Sequence, residues 1–339
     1  MRIATYNIEW FSYLFDDTDN LIFDRSWSGR HDVEKQQQIN ALGIVFKAVD
    51  ADAFMIIEAP QTNANRSSTR ALENFAQHFG LRQTQAITGF RNDTQQQIAL
   101  LYDPSKMDVS HAPKKPSKRA PAFDTKFILG NGDDAQKPVT FSKPPLELVI
   151  NPRGPGPNLR LIGVHAKSKA PHGAKNAEHA TKISLTNRRK QLTQCLWIRR
   201  RVEQHLRKGD HLIVLGDFND GPGLDEFEKE FGHSGIEIVL GTTRKLENRL
   251  FDPHAAQTMS RPFAVQPTTS RFYDHRTKTY LNALLDYIMI SKNLHDIGDH
   301  KWTIWHPFDH PECYKSNEIC QALLVASDHF PVTLDLDLP

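Results

Sequence analysis

Apolar residues recur along this chain at a spacing of two in some stretches and of three or four in others, and the two spacings predict different elements. Runs at 2–8, 53–58, 97–103, 145–150, 159–166, 211–216, 284–291 and 330–336 read as strands. Three stretches carry the helical spacing. Residues 33–49, "VEKQQQINALGIVFKAV", place Ile39, Leu42, Val45, Phe46 and Val49 on one face. Residues 180–207 turn Leu185, Leu192, Cys195, Leu196, Ile198 and Val202 inward and Arg188, Arg189, Lys190, Arg199 and Arg200 outward, and residues 69–79 form the third. Strands and helices do not alternate strictly, which favours an α+β sandwich of mixed sheets over a doubly wound parallel sheet.

Two stretches break the pattern. Residues 104–144 hold six prolines and a basic cluster of Lys114, Lys115, Lys118 and Arg119, and residues 151–158, "NPRGPGPN", can only be a loop. Strands on both sides are needed to complete the sheets, so 104–144 and 244–282 read as insertions in a single domain spanning 1–339.

Composition narrows the class. The chain is 39% apolar and 24% charged, as soluble globular proteins are, and it lacks a run of 18 apolar residues, so no integral membrane segment is expected. A net charge of +2 announces no nucleic-acid binder in bulk, so any basic surface must be local. The start, "MRIATYNIEWF", reads as a strand rather than as a secretory leader. Cys195, Cys313 and Cys320 are too few and too scattered for a disulfide framework, which points to a reduced, cytoplasmic protein.

Polar residues gather where the strands end. Asn7 closes "IATYN", Glu58 closes "FMIIE" and His165 closes "LIGVH", while Asp217 and Asn219 follow "LIVLG" in "DFN". Asp286 lies in "LLDYIMIS", and Asp328 and His329 lie in "ASDHFPV". One acid after a strand is an ordinary turn residue. Four acids, two carboxamides and two histidines so placed call for a shared purpose.

In this order and at these spacings, Asn7, Glu58, His165, Asp217-Phe218-Asn219, Asp286 and Ser327-Asp328-His329 resemble the endonuclease/exonuclease/phosphatase superfamily, which includes DNase I-like nucleases, inositol polyphosphate 5-phosphatases and neutral sphingomyelinases. The resemblance runs from residue 2 to about 336 and implies a four-layer α/β/β/α sandwich of two mixed, mainly antiparallel sheets with the site at one edge. It further implies that Asp217 orients or deprotonates the attacking water while Asn219 and Asn7 hold the phosphate and the water. Glu58 would be the principal ligand of Mg²⁺ or Mn²⁺, with Asp328 and Asn7 nearby, Asp286 would orient His329, and His165 would donate to a phosphoryl oxygen or the leaving group. Like charges about 4 Å apart at an effective dielectric of about 20 repel by on the order of 4 kcal/mol, so the acids cannot all be ligands. A protonated His329 beside Asp286 is the natural neutralising pair.

Further substrate contacts are expected from Lys167 and Lys169, which alternate in "HAKSK", and from Arg91 and Asn92 in "GFRND". Arg199, Arg200 and Arg201 read as a solvated helix face. His306, His310, Cys313 and Cys320 form a compact group that admits a zinc site or a Cys313–Cys320 disulfide, although its spacing fits no standard zinc pattern. Two departures stand out against the resemblance. Ala59 and Pro60 follow Glu58 where nuclease members often carry Val and a polar residue, and Gln96 falls where an acid would partner the motif histidine.

The expectation is therefore a Mg²⁺- or Mn²⁺-dependent phosphoric ester hydrolase acting by direct water attack on a phosphodiester, an endo- or exonuclease of DNA or RNA. A phosphatase or phosphodiesterase of a small phosphorylated molecule or lipid headgroup is the alternative. An inactive binding scaffold is a third reading, opposed by the retention of Glu58, Asp217 and both histidines.

Overall fold

The computed structural model describes residues 1–92, 94–130, 137–171, 173–222, 231–241, 245–261, 264–274 and 278–339. In chain order the first half runs β1 (Arg2–Asn7), α1 (Lys35–Val49), β2 (Ala53–Pro60), α2 (Ser68–Phe79), β3 (Gln85–Thr88), β4 (Gln96–Tyr102), β5 (Met107–His111), β6 (Leu146–Pro152), β7 (Leu159–His165) and α3 (Ala177–Leu206). The second half runs β8 (His211–Asp217), α4 (Gly235–Leu240), β9 (Leu250–Phe251), α5 (Pro253–Ser260), β10 (Ser270–Asp274), β11 (Thr279–Ala283) and β12 (Asp286–Ser291). It ends with α6 (Lys292–His295), β13 (Lys301–Ile304), α7 (Pro311–Lys315), α8 (Asn317–Ala326) and β14 (Val332–Asp335).

Strand alternation builds four layers. In β2, Met55 and Ile57 point between the sheets, where they meet Ile98, Leu100, Leu161, Leu215, Ile288 and Leu334. Phe54 and Ile56 point the other way, onto the apolar stripe of α1 (Ile39, Leu42, Phe46) and onto Phe75 of α2. On the far side, Ile162, Val164, Val214 and Met289 pack beneath Trp197, Ile198 and Val202 of α3. Local signals set the helix ends. Glu34 and Gln37 make a reciprocal capping box at the start of α1, the Ser67 hydroxyl accepts from Arg70 N at α2, and the Asn176 side chain caps α3.

Each sheet is mixed and mainly antiparallel. Their orders are β13-β14-β1-β2-β4-β3 and β5-β6-β7-β8-β12-β9, and β10–β11 form a separate hairpin. The two parallel pairs decide where the chemistry can lie. β1 beside β2 sets Asn7 opposite Ile57, and β7 beside β8 sets His165 opposite Asp217. β12 runs antiparallel to β8 and starts at Asp286, again opposite Asp217. The polar strand ends therefore come to one edge. No helix among the described residues is long and apolar enough to cross a membrane.

Two expectations need correction. The irregular 104–144 segment supplies β5, whose Met107 is buried and whose exposed Asp108 and Ser110 alternate with it. Further along, Phe123, Phe127 and Phe141 of the same segment close around Trp197, so α3 is covered on a second side. That cover explains the arginines. Arg188 (0% exposed), Arg199 (8%) and Arg201 (0%) are buried, not solvated. Arg188 pairs with Asp220 at 2.6 Å and Arg201 with Glu147 at 3.2 Å, while Arg199 donates to the carbonyls of Val239, Leu240 and Asn248. Arg189 remains exposed.

Gly216, next to Asp217, has φ 134°, and a Cβ there would lie 2.1 Å from the Val164 carbonyl oxygen. Gly216→Ala is accordingly expected to cost about 3 kcal/mol of stability, combining strain and clash. Urea denaturation measures it, and a loss below about 1 kcal/mol would mean that β7 and β8 part easily.

Candidate active site

Asp217 is the centre of the cluster. It is 1% exposed, its Oδ1 accepts from Asn219 N at 2.7 Å, and its Oδ2 accepts from Asn7 Nδ2 at 3.0 Å and Asn219 Nδ2 at 2.8 Å. Burial pushes its carboxyl up to about 7; the charges of Asp286 and Glu58 add to this, and His329 opposes them. Asn219 takes a left-handed φ of 52°, which the side chain stabilises by bonding back to Asp217. From α3, Gln191 fixes the same turn by donating to the carbonyls of Phe218 (3.2 Å) and Asn219 (2.8 Å). Arg188 in turn holds Gln191 Oε1 at 2.7 Å.

His329 faces Asp217 from the segment that leads into β14. Its Nδ1 lies 2.7 Å from Asp286 Oδ2, which also accepts from Thr269 Oγ1 at 2.8 Å. Burial alone would depress this imidazole. The charge and hydrogen bond of Asp286, with Asp328 and Asp217 behind them, overcome that and raise it to about 10, so it is an imidazolium at neutral pH.

His165 behaves oppositely. Burial, then the positive charges of Lys143, His329 and Lys167, hold its pKa well below the ordinary value, so the ring is neutral. Its Nε2 is 3.6 Å from Asp217 Oδ2 and 3.8 Å from Glu58 Oε1. Its Nδ1 is buried with no hydrogen-bond partner among the described residues. Gln96 does not reach it and donates instead to Glu58 Oε2.

Glu58 is re-aimed by its backbone. The β2–β4 register shifts between Ile57 and Ala59, and Glu58 between them has φ 64°, a bulge that turns its carboxylate into the edge. Lys143 Nζ stands 3.9 Å from Glu58 Oε1. Asp328 lies near, and so does Glu9, a residue the strand-end pattern overlooked because it sits in the turn that follows β1. Burial first and Asp328 second, with Glu58 adding, push Glu9 up to about 7. Burial likewise raises Glu58, with Asp328 adding and Lys143 opposing. Arg30 offsets part of this, 2.6 Å from Glu9 and 4.0 Å from Asp328.

Crowded acids of this kind suit a hard cation. Glu9, Glu58 and Asp328 repel one another, and the buried Oδ1 of Asn7 has no hydrogen-bond partner among the described residues. Among those residues no three His, Cys, Asp or Glu side chains close a ligand cage. The donor set fits a hard divalent cation that needs one or two carboxylates and keeps its waters.

The remaining candidates separate. Lys167 stays within electrostatic reach of His165, Lys143 and Lys190. Lys169 turns away, its Nζ 2.9 Å from the buried Asp220 that also holds Arg188, so the alternation in "HAKSK" does not aim both lysines at one anion. Asn92 spends its Oδ1 on Thr94 N and Oγ1 in its own turn, Arg91 is exposed, and among the described residues no hydrogen bond or ion pair joins either to the cluster. Lys143 and Arg30 lie in segments where periodicity carries no signal. The His306 side chains do not converge: His306 Nδ1 accepts from Phe308 N and Asp309 N, the His310 ring lies against Cys313 Sγ, and all three cysteines are free.

Among curated protein sequences none matches this chain. Of solved structures, truncated TDP2 from Caenorhabditis elegans superposes with a TM-score of 0.50 at 13% identity, covering 98% of this chain and 96% of that one. An endonuclease/exonuclease/phosphatase family protein from Bacteroides thetaiotaomicron does so with a TM-score of 0.51 at 15% identity, covering 100% and 98%. One from Bacteroides vulgatus gives 0.50 at 14% identity, covering 100% and 98%. These likenesses show a shared fold, the DNase I-like sandwich. The profile of the Endonuclease/Exonuclease/phosphatase family matches residues 4–329, so the chain belongs to that family, whose members are hydrolases of phosphoester bonds.

Proposed function

We propose that this protein is a Mg²⁺- or Mn²⁺-dependent phosphodiesterase that cleaves nucleic acid by direct attack of water. The observation that carries the reading is the buried Asp217 carboxylate, bracketed by Asn7 and Asn219 and faced by an imidazolium at His329. An Asp217 carboxylate held near neutrality can take the proton of a water bound by the two carboxamides. Water oxygen then bonds to phosphorus as the ester oxygen leaves. His329 and the neutral His165 are placed to donate hydrogen bonds to phosphoryl oxygens as negative charge accumulates. A cation held by Glu58 and Asp328, with Asn7 and Glu9 beside it, would supply Lewis-acid stabilisation of that charge.

Substrate charge points to a polyanion. Lys143, Lys167 and Lys190 collect beside the catalytic edge although the whole chain carries only +2. Plasmid DNA, single-stranded DNA, RNA, inositol phosphates and bis-(p-nitrophenyl) phosphate, each with Mg²⁺, Mn²⁺ or EDTA, test the reading. Chain cleavage of a polynucleotide in Mg²⁺ or Mn²⁺, falling at least ~10²-fold in EDTA, is the expected result. Phosphate release from a small monoester with every polynucleotide left intact would replace it with the phosphatase reading.

A further inference from the structure

Beside Glu9 and Asp328, segment 27–33 and the β10–β11 hairpin enclose a cleft of about 640 Å³ that the hydrolytic steps above do not use. Its walls are aromatic and its charges mixed, Arg30 and Arg271 against Glu9 and Asp328. Trp27 is 66% exposed, yet it is not loose, because its Nε1 donates to Arg30 O at 2.6 Å and its backbone bridges to Glu34. Trp10 is held in the left-handed region at φ 57°, and it fits only because Gly29 lacks a Cβ, which would come within 2.6 Å of its ring. Across the cleft, Tyr280 is 49% exposed and carries the Arg271 guanidinium over its ring at 4.1 Å. Exposed Trp27 and Tyr280, with the half-buried Trp10 beside them on a strained backbone, mark a recognition surface rather than an unfinished core.

We propose that this cleft is a stacking subsite for an unpaired nucleobase adjacent to the scissile phosphate, so that the substrate is single-stranded or frayed nucleic acid rather than closed duplex. The proposal rests on the nucleic-acid reading above. Flat π faces with an arginine alongside are the chemistry of sequence-tolerant base stacking, and a base reaches them only outside its own duplex stack. Proximity supplies the link to chemistry: Glu9 and Asp328 belong both to the cleft wall and to the acid cluster, so a base seated there leaves its phosphate at the catalytic edge.

Tryptophan fluorescence titrations in EDTA test this without turnover. The probes are oligo-dT, oligo-rU, a baseless abasic-analogue tract of equal charge and a blunt duplex, with melting temperatures confirming that each variant is folded. Wild type is expected to bind oligo-dT or oligo-rU at least ~10-fold more tightly than the baseless tract. Trp27→Ala and Tyr280→Ala are each expected to cut that ratio about 10-fold, and Trp27→Phe to retain most of it. A ratio near one in wild type, a ratio unchanged in both alanine variants, or a blunt duplex bound as tightly as the single strand would overturn the subsite while leaving a nuclease in place. No polynucleotide bound or cleaved, with bis-(p-nitrophenyl) phosphate still hydrolysed, would remove the nucleic-acid reading itself and the subsite with it.

Discussion

Asp217→Asn is expected to lower kcat on a phosphodiester roughly 10⁴-fold while KM changes little, the span assigned to a positioned general base. Shape and volume survive the change. What is lost is the anionic oxygen that accepts from Asn7 and Asn219 and can take a proton from water. Titration separates this role from simple structural damage. In EDTA the Asp217 carboxyl should titrate near 7 by NMR, a signal absent from the variant. Its folded value lies above that of an unfolded aspartate, about 3.9. The corresponding contribution to stability is therefore complete below about pH 4 and is lost as the pH climbs through 7. Denaturation at pH 5 and pH 8 should then show the asparagine variant gaining on wild type at the higher pH. A variant that keeps more than about a tenth of wild-type kcat would deny Asp217 the role of base.

His329→Gln is expected to cost about 10²–10³-fold in kcat, the effect of removing one charge-stabilising donor. Glutamine still donates a hydrogen bond but carries no charge. Because Asp286 sustains the imidazolium, Asp286→Asn should drop the His329 pKa from about 10 toward about 6.5 and convert the loss into a pH dependence, with residual activity falling as pH rises past neutrality. In wild type the raised value contributes stability that is complete below about pH 6.5 and is lost as pH rises through about 10. Following the His329 ring resonances against pH in both proteins tests the link. An Asp286→Asn protein in which His329 still titrates near 10 would break it.

Much of the architecture was legible because it is periodic. Buried strands such as β2 and β8 declare themselves by apolar runs, and α1 by its stripe and capping box. β11, with Thr279, Tyr280, Leu281 and Asn282 all exposed, and the two-residue β9 offer no such contrast between faces. The buried arginines misled for a different reason. Periodicity weighs a residue's own polarity, whereas the partners that permit burial, Asp220 for Arg188 and Glu147 for Arg201, are remote in the chain. At the site, the strand-end acids and amides stood out by position. Lys143 could not, since it lies in a proline-rich stretch, and Lys169 shows that alternation fixes a face only while the backbone stays extended; here β7 ends at His165.

The candidate site draws on both sheets: Asp217 and Asp286 on one, Asn7 and Glu58 on the other, with Asn7–Asp217 stitched across the gap and Asp286–His329 tying in the segment that leads into β14. Deeper in, Trp302 Nε1 of β13 donates to the Ile288 carbonyl of β12 at 2.8 Å across the seam. The rest of the alignment rests largely on hydrocarbon and sulfur, as where Gly163 sits so close to Met55 that a Cβ would come within 2.5 Å of its Sδ. A slip of one layer over the other by about an ångström would loosen every one of those stitches together, and misplacement on that scale can cost about 10²-fold in rate. Selection for turnover in this enzyme thus reaches well below its surface, into the greasy seam that acts as the vernier of its chemistry.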